Sequence, residues 1–237
     1  QQRMMAVVSH DLRNPLSGIL VGARTLVRFG GAPEATAISR RIAVACGRME
    51  RLIRDLLDWS SAELGRPLQL CAREADLHEL CARISDELWE PEGNRIRVEA
   101  EGNTRAIFDP DRVEQVIGNL LSNALRHAPA GTPILLRAVG AEREVRIEVH
   151  DQGPGVDPEA RARIFEAFEQ GAQRRGQGVG LGLFIVQSIV AAHGGRVEVD
   201  SEPGRTVFTV RLPRVERPTC PEAGDQEEPQ AAETQRG

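Results

Sequence analysis

The sequence predicts an all-α helical hairpin, expected to pair into a dimeric four-helix bundle, followed by an α+β sandwich. Three observations predict it. Ile38, Ile42, Ala45, Met49, Leu52, Leu56 and Trp59 step alternately by four and three, giving three heptads with apolar a and d positions. An apolar stripe of Met5, Val8, Leu12, Pro15, Ile19, Gly22 and Leu26 precedes it across the stop signal Gly30-Gly31-Ala32-Pro33. Beyond Pro67 the apolar period switches between that of strands and that of helices, as in a mixed sheet covered by helices.

Taken in order, a first helix is expected over residues 4–28, loosened at Pro15, which lacks an N–H and crowds the preceding turn. A second follows over residues 34–61. Ile53 and Leu57 widen its stripe beyond what one partner helix can cover, so pairing with a second copy is the economical arrangement. In the second region Leu68-Gln69-Leu70 reads as a short strand, and Asp76 as the N-cap of a helix to about Trp89. Residues 95–100 alternate as a strand. Asp109-Pro110 opens a helix to about His127, with Asp as cap and Pro at the first helical position. Residues 133–139 and 143–150 read as an antiparallel pair. A helix is expected over 158–168, a Gly/Gln/Arg-rich loop over 169–180, a helix to about His193, and two strands, 196–200 and 206–212. The expected organisation is residues 1–64, 65–213 and a disordered Pro/Glu/Gln-rich tail, 214–237.

Aromatics make up only 3% of the chain, so the cores must be aliphatic. The net charge of −5 argues against nucleic acid as the main partner. No apolar run approaches the roughly 18 residues needed to span a bilayer, so no membrane contact is expected of these residues. Cys46, Cys71, Cys81 and Cys220 have no metal-ligand spacing and read as reduced thiols of a cytoplasmic protein. The chain opens on Gln1 rather than Met, which reads as a piece of something longer.

Three stretches of the second region point to a nucleotide. Asn119 and Asn123 share a helix face beside Arg126 and His127. Amide oxygens can ligate Mg²⁺ without adding charge, and Arg126 can answer phosphate charge. Paired amides on a helix also occur for structural reasons. In Asp151-Gln152-Gly153-Pro154-Gly155 a strand ends at an acid able to accept from an exocyclic amine, although Asp and Gly also build ordinary turns. Gly176-Gln177-Gly178-Val179-Gly180-Leu181-Gly182-Leu183 opens an apolar helix whose N-terminal N–H groups suit an anion. It is neither the dinucleotide fingerprint nor a Walker loop. In the first helix, with a at Met5 and d at Val8, His10 falls on an outward f position.

Together these motifs resemble the sensor histidine kinases of two-component systems. Asn119-Leu-Leu-Ser-Asn123-Ala, Asp151-Gln-Gly153-Pro-Gly155, Ile164-Phe165-Glu166-Ala167-Phe168 and Gly178-Val-Gly180-Leu-Gly182-Leu look like that family's N, G1, F and G2 boxes. Ser9-His10-Asp11-Leu12-Arg13-Asn14-Pro15-Leu16 looks like its H-box, and the boxes come in the family's order. The second region also resembles the chaperone, topoisomerase and mismatch-repair ATPases. One departure is the turn Gly204-Arg205-Thr206, a residue shorter than the family's G-x-G-T.

The resemblance implies a homodimeric, ATP- and Mg²⁺-dependent protein-histidine kinase. It implies that His10 accepts the phosphoryl group and Asp11 orients or deprotonates it. Asn119 and Asn123 would serve Mg²⁺ and phosphates, with Arg126 as the basic contact and His127 beside the nucleotide. Asp151, with Gly153, Gly155 and Thr206, would hold the adenine. Gly178, Gly180, Leu181 and Gly182 would shape the phosphate loop, residues 169–180 would form a lid, and Phe165 and Phe168 would pack it. The phosphoryl group would pass to an aspartate of a response-regulator receiver domain, and Asn14, one turn after His10, could position water for the reverse dephosphorylation. Two other readings share these motifs: a scaffold that binds ATP without transferring it, and an ATP-hydrolysing relative. The latter expects an acid one turn before Asn123, where this chain has Asn119.

Overall fold

The computed structural model describes Leu16, Ile19 and residues 21–23, all helical, and residues 33–87, 95–169 and 179–215. The long helix α1 (Pro33–Glu63) leads into β1 (Arg73–Asp76), α2 (Leu77–Glu87), β2 (Ile96–Gly102), β3 (Arg105–Phe108) and α3 (Pro110–His127). Then come β4 (Ile134–Gly140), β5 (Glu144–Asp151), α4 (Gly182–Ala192), β6 (Arg196–Glu202) and β7 (Arg205–Pro213). Gly22 seats the first helix on α1: a Cβ there would lie 2.7 Å from Ile42 Cγ1, so the absent side chain is what allows the approach.

The main sheet runs β2-β4-β5-β7-β6, with β2 and β4 parallel and the other pairs antiparallel. A small antiparallel pair, β1 with β3, stands apart. One face of the main sheet is apolar: Ile134, Leu136 and Ala138 of β4, Val145, Ile147 and Val149 of β5, and Phe208, Val210 and Leu212 of β7. Leu77 and Ile84 of α2, Val113, Ile117 and Leu120 of α3, and Ile185 and Ile189 of α4 close over it. Each such side chain contributes about 1.5–3 kcal/mol on burial, so this face holds the sandwich together. The other face is a lattice of opposite charges. Arg137 pairs with Glu99 of β2 at 3.5 Å and Glu148 of β5 at 3.2 Å, and Arg211 with Glu144 at 2.7 Å and Glu198 at 3.3 Å. That alternation keeps a single-layer sheet soluble on its open side.

The expected α3 is present and its cap is heavily used. Asp109 Oδ1 accepts from Asp111 N and Arg112 N, both at 3.1 Å, and Oδ2 accepts from Cys71 N at 2.8 Å. The Asp109 N–H donates to His193 Nε2 at 3.1 Å, and His193 Nδ1 lies 2.8 Å from the Ile189 carbonyl. One aspartate thus ties the linker, α3 and α4 together. At the other end of α3, Arg95 donates to the carbonyls of Leu125 at 3.4 Å and Pro129 at 3.0 Å.

Four expectations need correction. No strand forms at 68–70; the strand lies at 73–76, where β3 offers a partner. β3 itself was not foreseen. Residues 158–168 form successive turns rather than a helix, with Ile164 N bonding Ala160 O at 3.0 Å but Arg163 N bonding the same carbonyl at 2.9 Å, and they end at Phe168 with φ 66°. Cys71 is disulfide-bonded, whereas Cys46 and Cys81 are free. Burial pushes the Cys81 thiol up to about 12, so it is an inert core residue. Arg214, expected in the tail, instead donates to the carbonyls of Ala141 at 2.8 Å, Arg105 and Asn103.

Candidate nucleotide site

The candidate site lies where the apolar face of the sheet ends and α3 and α4 converge. Asp151 and Thr206 are direct partners across β5 and β7, and Thr206 and Ser201 across β7 and β6. All three are buried and continue the inward-facing positions of their strands, so a polar row replaces the apolar one at the sheet's edge. Burial pushes the Asp151 carboxyl above its ordinary range, and the Gly153 N–H, donating to Oδ1 at 2.7 Å, opposes that.

The glycines mark where backbone must pass close. Gly155 has φ +85°, and a Cβ there would lie 2.9 Å from the Glu202 carbonyl carbon. The Gly204 N–H donates to the Gly153 carbonyl at 2.9 Å, so the turn after β6 is clamped to the loop after β5. A Cβ on Gly153 would lie 3.4 Å from the His127 carbonyl, which brings the end of α3 against the same loop.

The side expected to receive phosphate is built from α3 and the start of α4. The N-cap Leu181 offers no side-chain hydrogen bond, so the first N–H groups of α4 are left to another partner. A Cβ on Gly182 would lie 3.5 Å from Asn119 Oδ1, which seats Asn119 at that N-terminus. Asn119 Nδ2 is buried with no partner, a donor that a phosphate oxygen would satisfy. Asn123 is half-buried one turn further along α3, ahead of half-buried Arg126 and His127. Gly180 has φ +76° and its carbonyl accepts the Phe168 N–H at 2.9 Å, joining the two ends of the 169–180 segment.

The structure therefore brings together Asn119, His127, Asp151, Gly153, Gly155, Gly182 and Thr206, with Gly180 and Leu181 at the start of α4. His10, Asp11, Asn14 and Gly178 lie outside the described residues. Sequence reasoning missed Ser201. The available signal was a lone polar residue in the inward register of Val197 and Val199.

Two family descriptions match separate parts of the chain. Residues 1–65 match the "His Kinase A (phospho-acceptor) domain", and residues 108–216 the "Histidine kinase-, DNA gyrase B-, and HSP90-like ATPase". The chain belongs to the sensor histidine kinases. A bacteriophytochrome of Pseudomonas aeruginosa is 35% identical over 90% of this chain and 30% of its own length. The probable sensor histidine kinase TcrY of Mycobacterium tuberculosis is 34% identical over 90% of this chain and 46% of its own length. The chain thus spans less than half the length of these relatives. Among solved structures, full-length ShkA in complex with AMPPNP superposes with a TM-score of 0.61 at 30% identity, covering 94% of this chain and 48% of ShkA.

In this histidine kinase core the phosphoacceptor domain rests on the ATPase domain. Leu52, Leu56 and Trp59 of α1 pack on the ATPase core, and Trp59 meets Phe168 edge-on, with ring centroids 5.1 Å apart. Gln115 of α3 donates to Asp55 at 2.9 Å and Asp58 at 3.1 Å, and Arg112 pairs with Asp58 at 2.7 Å. The ATPase domain is therefore in direct contact with α1 of the phosphoacceptor domain.

Proposed function

We propose that this core autophosphorylates His10 from ATP and passes the phosphoryl group to an aspartate of a response-regulator receiver domain. The observation that carries the reading is the convergence of three separate motifs, Asn119, the uncapped α4 N-terminus and the Asp151–Gly155 loop, on one end of the sheet. Asp151 accepts from the adenine amine, with Gly153 and Gly155 allowing the base to approach the backbone. The α4 N–H groups and the Asn119 amide receive the phosphates, and Arg126 adds positive charge. Asn119 and Asn123 are the amides that would hold Mg²⁺, which supplies charge neutralisation at the phosphates when bound.

At His10 the imidazole nitrogen attacks the γ-phosphorus as the bond to the β,γ-bridging oxygen breaks. ADP leaves with the electron pair of that bond. Asp11 orients the ring through its other nitrogen and takes up the imidazole proton as charge develops. Asn14, one turn on, places water for dephosphorylating the partner regulator. The homodimer expected of the phosphoacceptor domain and a cytoplasmic setting fit this chemistry; no helix among the described residues is long and apolar enough to cross a membrane.

The test is labelling with γ-phosphate-labelled ATP. Acid-labile label is expected in the intact chain and lost in His10→Gln with ATP binding retained. Label persisting in His10→Gln would remove the His10 assignment, and ATP binding without any label in the intact dimer would leave a nucleotide-binding scaffold.

A further inference from the structure

We propose that Ser201 is a positioning residue for nucleobase recognition, holding the Thr206 hydroxyl as a donor beside the acceptor Asp151. The inference rests on the adenine reading of Asp151 given above. Ser201 is 2% exposed, so every polar valence of its hydroxyl must be met within the protein. Its Oγ accepts the Val156 N–H at 2.8 Å and lies 2.8 Å from Thr206 Oγ1. A hydroxyl has one proton and two acceptor sites.

Two arrangements are possible, and they differ in what they leave unpaired. If Thr206 donated to Ser201, both acceptor sites of Ser201 would be filled and its own proton would be buried without an acceptor. If Ser201 donates to Thr206, each of its contacts is satisfied, and the proton left over belongs to Thr206. The second arrangement leaves the spare proton on Thr206, the strand partner of Asp151, where a bound base can accept it, whereas the first strands it on Ser201, which no base touches; the second is the favoured one. The Val156 backbone N–H, which cannot reverse, fixes Ser201 as the acceptor at that contact and leaves the Ser201 proton for Thr206.

The consequence lies one strand over. Thr206 is the register partner of Asp151, so the edge of the site presents an acceptor on β5 beside a donor on β7. Adenine offers the complementary pair, an exocyclic amine that donates next to a ring nitrogen that accepts. Guanine offers the reverse pair, a carbonyl oxygen next to a ring N–H. A hydroxyl free to rotate could serve either base; one whose lone pair is held by Ser201 favours adenine. Ser201 touches no nucleotide in this scheme. Arg161, which donates to the Val156 carbonyl at 3.3 Å and to the Ser201 carbonyl, holds the two ends of the relay together.

The test is equilibrium binding of ADP and GDP to the full chain by calorimetry, since diphosphates are not consumed. The intact protein should prefer ADP. Ser201→Ala should reduce that preference roughly tenfold, mainly by weakening ADP, while Ser201→Thr, which keeps the hydroxyl, should retain it. A purely structural role would weaken both nucleotides alike and leave their ratio unchanged, which would overturn the proposal. Should Ser201→Ala fail to fold, Thr206→Val, similar in shape but without the donor, must show the same loss of preference, and an unchanged ratio there overturns it equally. A preference abolished in Asp151→Asn but intact in Ser201→Ala would sink Ser201 alone. An intact protein without preference, or one whose preference survives Asp151→Asn, would sink the adenine reading and this proposal with it.

Discussion

Asp151 is held in a place that disfavours its charge. It is 6% exposed, its pKa is raised by burial, and one backbone N–H only partly compensates. A raised folded-state pKa means that the ionised form lowers stability at neutral pH. The penalty fades as pH falls through the raised value towards the ordinary 3.8. A residue kept at such a cost is expected where a ligand uses it. Asp151→Asn keeps an oxygen for the Gly153 N–H but presents an amine where the base amine must donate. The expected outcome is a higher melting temperature, with ATP affinity lower by roughly tenfold or more. Scanning calorimetry and titration on the same sample check both signs. A variant both less stable and equally tight would show that Asp151 serves the fold rather than the nucleotide. Asp151 was legible in the sequence because a strand running into Asp-x-Gly-x-Gly stands out locally. Ser201 was not, because its meaning depends on Val156 and Thr206, which only the sheet brings to it.

Helix α1 was legible from Ile38 to Trp59, but its use was not. The heptad seam reads as the core of a helical bundle, yet Leu52, Leu56 and Trp59 at its lower end pack on the ATPase core. Asp55, on that same face, is buried there, and its partner Gln115 lies 60 residues away, beyond any local pattern. The four-residue β3 escaped for the same reason, since its pairing with β1 is tertiary. The contact carries its own pH dependence. Burial, opposed by the Gln115 hydrogen bond, pushes Asp55 up to about 6; neighbouring Asp58 adds to the rise, and Arg54 and Arg51 oppose it. Released into water, Asp55 returns towards 3.8, so the docked state binds more protons between the two values. Docking is therefore favoured at the acid end and weakens as pH rises from about 4 through about 6. Hydrogen exchange of residues 52–59 should accelerate across that window, and Asp55→Asn should flatten the profile. A pH profile unchanged by Asp55→Asn would show that another group governs the contact.

At the scale of the molecule, α1 presents two faces for two partners. Leu52, Asp55, Leu56 and Trp59 lie on one side and Ile53 and Leu57 roughly 120° around the helix on another. The first face is engaged by the ATPase domain of the same chain. The second is exposed, Ile53 by 47% and Leu57 by 63%, as are Leu16 at 47% and Val21 at 64% on the preceding helix. The phosphoacceptor family implies a homodimer, and this second face is the surface such a dimer would bury. Ile53 and Leu57 from two copies make four side chains, each with about half its surface still exposed, a gross gain of about 3–7 kcal/mol if that remainder is covered. Replacing both by Glu removes that gain and places like charges across the interface. Ile53→Glu/Leu57→Glu should therefore run as a monomer in light scattering at micromolar concentration. Its ADP affinity should stay within about twofold, because none of the nucleotide-site residues lies on that face and the ATPase core is built from other side chains. Persistence of the dimer would assign the interface to the upper part of the hairpin instead. Loss of nucleotide binding together with the dimer would mean that the two faces of α1 are coupled, and that the ATPase domain needs a paired helix to rest on.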